Sequence, residues 1–260
     1  MNYTLISGAS RGIGRALALE CASRMMNMIL VARSLEDLVS LKNEILSKHS
    51  VDVHCIQLDL KDDKAGEFLR EYLETNGINL NFLINNAGFG LFGEFYNSSL
   101  ENNLKLIQLN VSSVVNVTHA LIPLLQNQDS SHILNVSSTI AFQPTPIFSV
   151  YSASKSFVYF FSRGLRKELK EYGIGVTCLM PGPTKTNFFN NAGMQENTGL
   201  LKMMQLTPEE VAEKALKGMF KNRVKVIPGF LNKFQYLLFS FTPTWLSSAM
   251  ASKAMKNQGK

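Results

Sequence analysis

The chain has 260 residues, 45% hydrophobic and 18% charged. That balance excludes disordered, collagen-like and low-complexity classes and leaves enough apolar material for one three-layer domain. The formal net charge of +6 sits at one end: nine basic and no acidic residues lie from Lys214 to Lys260, while the preceding residues carry 17 basic and 20 acidic side chains.

Short β-branched runs alternate with helical patterns along the chain. Tyr3 to Ser7 reads as a buried strand, followed by a glycine turn and a helix over about Ile13 to Met26. Met28 to Ala32 is a second apolar run, Leu35 to Ser47 has helical periodicity, and Val51 to Leu58 is a third strand. A charged helical segment spans Lys61 to Tyr72, and Leu80 to Ile84 makes a fourth strand. Ser98-Ser99-Leu100-Glu101 has capping-box spacing and opens a long helical region reaching Leu125. His132 to Val136 is a fifth strand, Tyr151 to Tyr172 a helix and Gly175 to Met180 a sixth strand. Thr207-Pro208-Glu209-Glu210 is a second capping box, with Pro at the first helical position of a helix to about Phe220. Val224 to Ile227 is a last strand. This alternation predicts βα units: a three-layer, doubly wound parallel sheet of the Rossmann type, helices on both faces, and a short C-terminal helical extension. Ligands in such sheets bind beyond the carboxyl ends of the strands.

No stretch reaches about 18 uncharged apolar residues, so no segment is expected to span a membrane. The opening Met1-Asn2-Tyr3-Thr4-Leu5 lacks a basic leader region, so a signal peptide is not expected either. Cys21, Cys55 and Cys178 are odd in number and scattered, which points to reduced thiols and a cytoplasmic location. His49, His54, His119 and His132 are isolated, and no Cys/His cluster has metal-ligand spacing, so no metal is expected.

Tyr151 and Lys155, four residues apart on one helix face, form a candidate proton-transfer pair in which the ammonium lowers the phenol pKa. The same spacing also occurs on ordinary amphipathic helices. Gly8-Ala9-Ser10-Arg11-Gly12-Ile13-Gly14 follows the first strand directly. A glycine turn there lets backbone N–H groups and the helix dipole meet a diphosphate, although many such turns are only turns. Where an NAD site places an acid after the second strand, this chain has Ala32 and then Arg33. Arg33 with Arg11 favours a 2′-phosphate and therefore NADP over NAD, against the plainer reading of two solvated arginines. Asn85-Asn86-Ala87-Gly88 follows the fourth strand, and Asn135-Val136-Ser137-Ser138 ends the fifth at the same sheet edge.

Together these motifs resemble the short-chain dehydrogenase/reductase superfamily in its compact single-domain form. The likeness rests on Gly8-x-x-x-Gly12-x-Gly14, Asp59, Asn85-Asn86-Ala87-Gly88, Asn110, Ser138, Tyr151-x-x-x-Lys155 and Pro181-Gly182, and covers about residues 2 to 228. One departure is Ser7 before the first glycine, where the family usually has Thr. The resemblance implies that Tyr151 is the general acid or base and that Ser138 hydrogen-bonds the substrate oxygen. It further implies that Lys155 holds the nicotinamide ribose and depresses the Tyr151 pKa, and that Asn110 holds a proton-relaying water. Gly8, Ser10, Arg11, Gly12, Ile13, Gly14, Arg33, Asp59, Leu60, Asn86, Ala87 and Gly88 would then contact the cofactor, with Tyr151, Lys155, Pro181, Gly182, Thr184 and Thr186 at its nicotinamide end. The implied activity is NADP(H)-dependent interconversion of a carbonyl and a secondary alcohol, in a homodimer or homotetramer built through helices around residues 101–125 and 151–172.

This divides the chain into a catalytic domain over 1–228, with a substrate lid at about 184–206, and a basic, apolar extension over 229–260. The lid carries Phe188, Phe189, Met194, Leu200, Leu201, Met203 and Met204, which suits apolar, adaptable substrates such as ketoacyl chains, steroid-like molecules or other apolar ketones. Phe89, Leu91, Phe92, Phe142, Pro144 and Phe148 are further candidate pocket residues, unless they simply pack in the domain or against a subunit. The segment Phe230 to Phe239, with Trp245-Leu246 after the helix-starting Thr242-Pro243, is aromatic, apolar and basic. Pocket closure, a subunit interface and peripheral membrane contact all remain open for it. A nucleic-acid partner is not expected, because the charge has no matching motif. Two other functions stand beside the enzyme: an NADP-binding sensor or scaffold without chemistry, and a membrane-recruited protein whose tail is the functional part.

Overall fold

The computed structural model describes residues 2–126, 130–194 and 202–243. Seven parallel strands form one sheet: β1 (Asn2–Ser7), β2 (Asn27–Ala32), β3 (Val53–Gln57), β4 (Asn79–Asn85), β5 (Ser131–Val136), β6 (Ile174–Leu179) and β7 (Lys225–Val226). Their spatial order is β3-β2-β1-β4-β5-β6-β7. The order reverses between β1 and β4, and a crevice opens there at the carboxyl ends of the strands.

Helices α1 (Gly12–Ser23) and α2 (Leu35–Leu46) cover one face together with the helix Pro208–Phe220. Helices α3 (Ala65–Thr75), α5 (Ser113–Gln126) and α6 (Ser149–Glu168) cover the other. Successive strand residues point to opposite faces, so Ile6 and Leu30 join the core with Leu17, Leu41 and Ala215. Leu5 and Ile29 join the opposite core with Leu69, Leu121 and Leu165. Strands buried on both sides require nearly continuous apolar runs, which is why they are so readable in the sequence. Among the described residues no helix is long and apolar enough to cross a membrane.

Three local readings change. The first helix stops at Ser23 because Met25 takes a left-handed φ of 57°. The long region expected from Ser98 to Leu125 is α4 (Leu100–Ile107), a π-helical turn (Gln108–Ser112) and α5. The expected box at Ser98 and Glu101 does not form, because Ser99 caps α4 by accepting from the Asn102 N–H. The box at Thr207 does form, with Thr207 and Glu210 capping each other reciprocally.

Past β7, the helix Phe230–Phe241 ends where the Thr242 hydroxyl donates to Leu238 O at 2.8 Å. Trp245 and Leu246, like Leu200 and Leu201 of the expected lid, lie outside the described residues.

Candidate active site

The ends of β1 and β4 are tied together by side chains. The Ser7 hydroxyl donates to Ile84 O at 3.3 Å and accepts from the backbone N–H groups of Asn86 and Ala87 at 2.9 and 3.1 Å. The Asn86 side chain donates back to Ser7 O and Gly8 O. Gly8 turns the chain with φ 64°, and a Cβ on Gly14 would lie 2.1 Å from Gly8 O. Only glycine lets α1 start this close to the turn. The first N–H groups of α1 have no side-chain cap, and Arg11, Gly12 and Ile13 line the adjoining cleft.

On α6, Tyr151 and Lys155 are 7% and 5% exposed. Lys155 Nζ donates to Val136 O at 3.0 Å and lies 5.8 Å from the Tyr151 ring centroid. Burial pulls the Lys155 pKa down to about 8. Burial also drives the Tyr151 phenol well above its ordinary value, and the Ser138 hydroxyl opposes this by hydrogen bonding. Lys155 adds no lowering to this balance, because its ammonium is held on the Val136 carbonyl. Ser138 sits just beyond β5, where its Oγ donates to Pro181 O at 3.4 Å and accepts from the Ile140 N–H.

Asn110 lies at the centre of the π turn and is fully buried. Its Oδ1 accepts from Phe89 N–H at 3.0 Å, and its Nδ2 donates to Phe89 O at 2.9 Å and to Ser154 Oγ at 3.1 Å. These bonds pin the loop after β4 against α6. A Cβ on Gly88 would lie 2.9 Å from Asn110 Oδ1 and 3.3 Å from Lys155 Nζ, so position 88 has no room for a side chain.

A continuous cleft of about 520 Å³ runs from the glycine turn to Tyr151. Every expected site residue lines it except Gly14 and Asn110, which are buried behind its wall. At its far end Arg11 donates through Nε and Nη2 to Asp37 Oδ2, at 3.1 and 2.8 Å. Arg33 and Ser34 line the same end. Asp59 pairs with Lys61 at 3.2 Å and accepts from its N–H. The segment after Pro181 crosses the cleft, and Thr186 Cγ2 comes within 3.2 Å of where a Gly12 Cβ would stand. Thr184 Oγ1 donates to Gly182 O at 3.0 Å, stiffening this crossing.

Around Tyr151 the walls are apolar. Ring centroids of Phe148 and Phe188 lie 4.5 and 5.4 Å away, and Phe89, Phe189 and Met194 complete the lining. Leu91 and Phe92 pack behind them. Phe142 turns away to pack on Tyr159 and Tyr236, and Pro144, Met203 and Met204 do not line the cleft.

Sequence reading missed Asp37, Gln143 and Gln235, all of which line the cleft. Asp37 has a faint signal, since Ser34-x-x-Asp37 has N-cap spacing and Ser34 does accept from the Asp37 N–H. Gln143 Oε1 is buried without a partner among the described residues. Gln235 comes from the helix Phe230–Phe241, whose Asn232 donates to Pro228 O and Met204 O. A Cβ on Gly182 would stand 2.2 Å from Asn232 Oδ1, so this helix seats directly behind the nicotinamide end expected at Pro181-Gly182.

The glycine turn at the sheet's switch point, joined by one cleft to a buried Tyr-Lys-Ser corner, is the arrangement of a nucleotide-binding Rossmann oxidoreductase. The family model for short chain dehydrogenases matches residues 2–197, and the chain belongs to that family. It is 34% identical over 194 residues to 17-beta-hydroxysteroid dehydrogenase type 3 of Mus musculus, covering 73% of this chain and 63% of that one. It is 35% identical over 183 residues to the very-long-chain 3-oxoacyl-CoA reductase of the same species, covering 69% and 58%. The matches thus span about three fifths of those relatives' length. A short-chain dehydrogenase from Sphingobium yanoikuyae, solved in complex with NADPH, superposes with a TM-score of 0.82 at 29% identity, covering 94% of this chain and 96% of that one.

Proposed function

We propose that the protein is an NADP(H)-dependent oxidoreductase interconverting a carbonyl and a secondary alcohol of an apolar molecule. The observation that carries this reading is the single cleft joining the glycine turn to Tyr151, Lys155 and Ser138. The residues fit the cofactor: Gly8, Gly12 and Gly14 leave bare backbone at a helix N-terminus, where a diphosphate binds. Arg33 and Arg11 at the far end of the cleft support a 2′-phosphate there, and Ser10, Asp59, Leu60, Ala87, Thr184 and Thr186 line the cleft between its two ends. Bound NADP(H) supplies or accepts the hydride.

In the reducing direction Ser138 Oγ donates a hydrogen bond to the substrate oxygen and Tyr151 gives up its phenolic proton to it. A phenol kept protonated by burial is suited to act as that acid. Lys155, charged below about pH 8, re-supplies the proton and stabilises the phenolate left behind. Asn110 acts by fixing the loop at Gly88 and the start of α6, and by holding a water on the route to Lys155. Phe89, Phe148, Phe188, Phe189 and Met194 support an apolar substrate, in keeping with the names of the relatives. The exposed Leu100, Leu104 and Phe160 on α4 and α6 support assembly as a homodimer or homotetramer.

The test is Tyr151→Phe assayed by NADPH absorbance against a panel of hydrophobic ketones. Turnover should fall by about 10²–10⁴-fold while NADPH affinity stays within a few-fold. Wild-type protein that binds NADPH yet oxidises it with none of the ketones would assign the cleft to binding without catalysis.

A further inference from the structure

The helix Phe230–Phe241 has two faces with different partners. Its inner face holds Asn232 against Gly182, Gln235 in the cleft and Tyr236 on Phe142. Its outer face presents Phe230, Phe234, Leu237 and Phe241 at a helical repeat, flanked by Leu231 and Leu238. Phe230 and Phe241 at its two ends are 81% and 83% exposed. A stripe of four Phe and Leu side chains with two flanking leucines, aimed at water along a whole helix, marks an interaction surface rather than scattered surface residues.

Charge selects the occupant. Lys233 is exposed on the same helix, and from Lys214 to Lys260 the sequence has nine basic residues and no acidic one. A second copy docked by a two-fold axis would bring the Lys233 side chains of the two stripes together with no acidic residue on either helix to pair them, because such an interface uses the same patch on both subunits. An anionic lipid surface meets both requirements, taking the aromatic stripe among its acyl chains and Lys233 at its headgroups.

We propose that the outer face of the helix Phe230–Phe241 docks the protein onto anionic phospholipid membranes. The inner face of the same helix forms part of the cleft wall, so docking places the site beside the bilayer, where apolar molecules concentrate. The surface binds lipid whether or not the cleft reduces a ketone, and the two readings fail separately.

The experiment is flotation of the full chain with phosphatidylcholine vesicles, pure or containing about one-third phosphatidylserine. The protein should float with the anionic vesicles and bind neutral ones at least about tenfold more weakly. The triple variant Phe234→Ser, Leu237→Ser, Phe241→Ser should stay at the bottom of the gradient while retaining its circular dichroism and NADPH affinity. Lys233→Glu should weaken the anionic preference alone. Wild type that does not float, or a triple variant that floats equally, overturns the proposal. So does a wild type that ignores vesicles but loses molecular mass on light scattering when the triple substitution is made, which would assign the face to a second copy.

Discussion

Arg11 reaches the cleft with its charge already engaged. Both contacting nitrogens meet one oxygen of Asp37, and this pairing holds the Asp37 carboxyl below its usual range. The pair is exposed, so it is a weak contact in stability terms. If the cleft takes NADP(H) as proposed, its weight falls on selectivity, because a carboxylate repels a 2′-phosphate and competes for the same guanidinium. Asp37→Asn should raise kcat/KM for NADPH about two- to fivefold relative to NADH, with the gain shrinking in high salt. Steady-state kinetics with both cofactors reads this, and an unchanged ratio would show that Asp37 does not compete. Tyr151, Lys155 and Ser138 were legible because each stands in a short motif of fixed spacing. Asp37, Gln143 and Gln235 were not, since a lone polar residue shows nothing of the cavity it enters until the chain is folded around it.

The same contrast holds for elements. Alternating apolar runs made the βα order readable, since a strand buried on both faces tolerates few polar residues. The π turn at Asn110 was not, because it arises from contacts with Phe89 and Ser154, distant in sequence. The two capping-box patterns show how far spacing reaches. At Thr207 both reciprocal bonds form, whereas Ser98 instead donates to Phe95 O and accepts from the Asn103 side chain. Thr207→Ala removes the side-chain bond to Glu210 N–H at the start of the helix Pro208–Phe220, which packs on α1. It should cost about 1 kcal/mol, measured as a lower urea midpoint at unchanged slope.

At the level of the whole molecule, stability should depend on pH through His132, buried in the middle of the sheet. Thr177 spends its hydroxyl proton on Arg223 O, so His132 Nε2 carries the proton that reaches Thr177 Oγ1 at 2.8 Å. Burial, aided by Arg166, pulls the His132 pKa from 6.5 to about 4. Between those values the unfolded chain binds a proton that the folded protein refuses, so stability falls as pH drops below 6.5 and the loss is complete below about 4. From pH 7.5 to 5 the contribution is about 2 kcal/mol. Urea unfolding at the two pH values should show that loss in wild type and a smaller one in His132→Asn. Equal losses would place the acid sensitivity in the carboxylates instead.

Asn232 against Gly182 also bears on how the molecule is made. The cleft takes its floor from the first turn of the chain, at Gly8 to Gly14, and part of its wall from the helix Phe230–Phe241, more than 200 residues later. A ribosome delivers the second piece more than 200 residues after the first. The sheet can begin to assemble as its strands emerge, but the end of the cleft near Pro181 and Gly182 stays open on one side until that helix is free to dock.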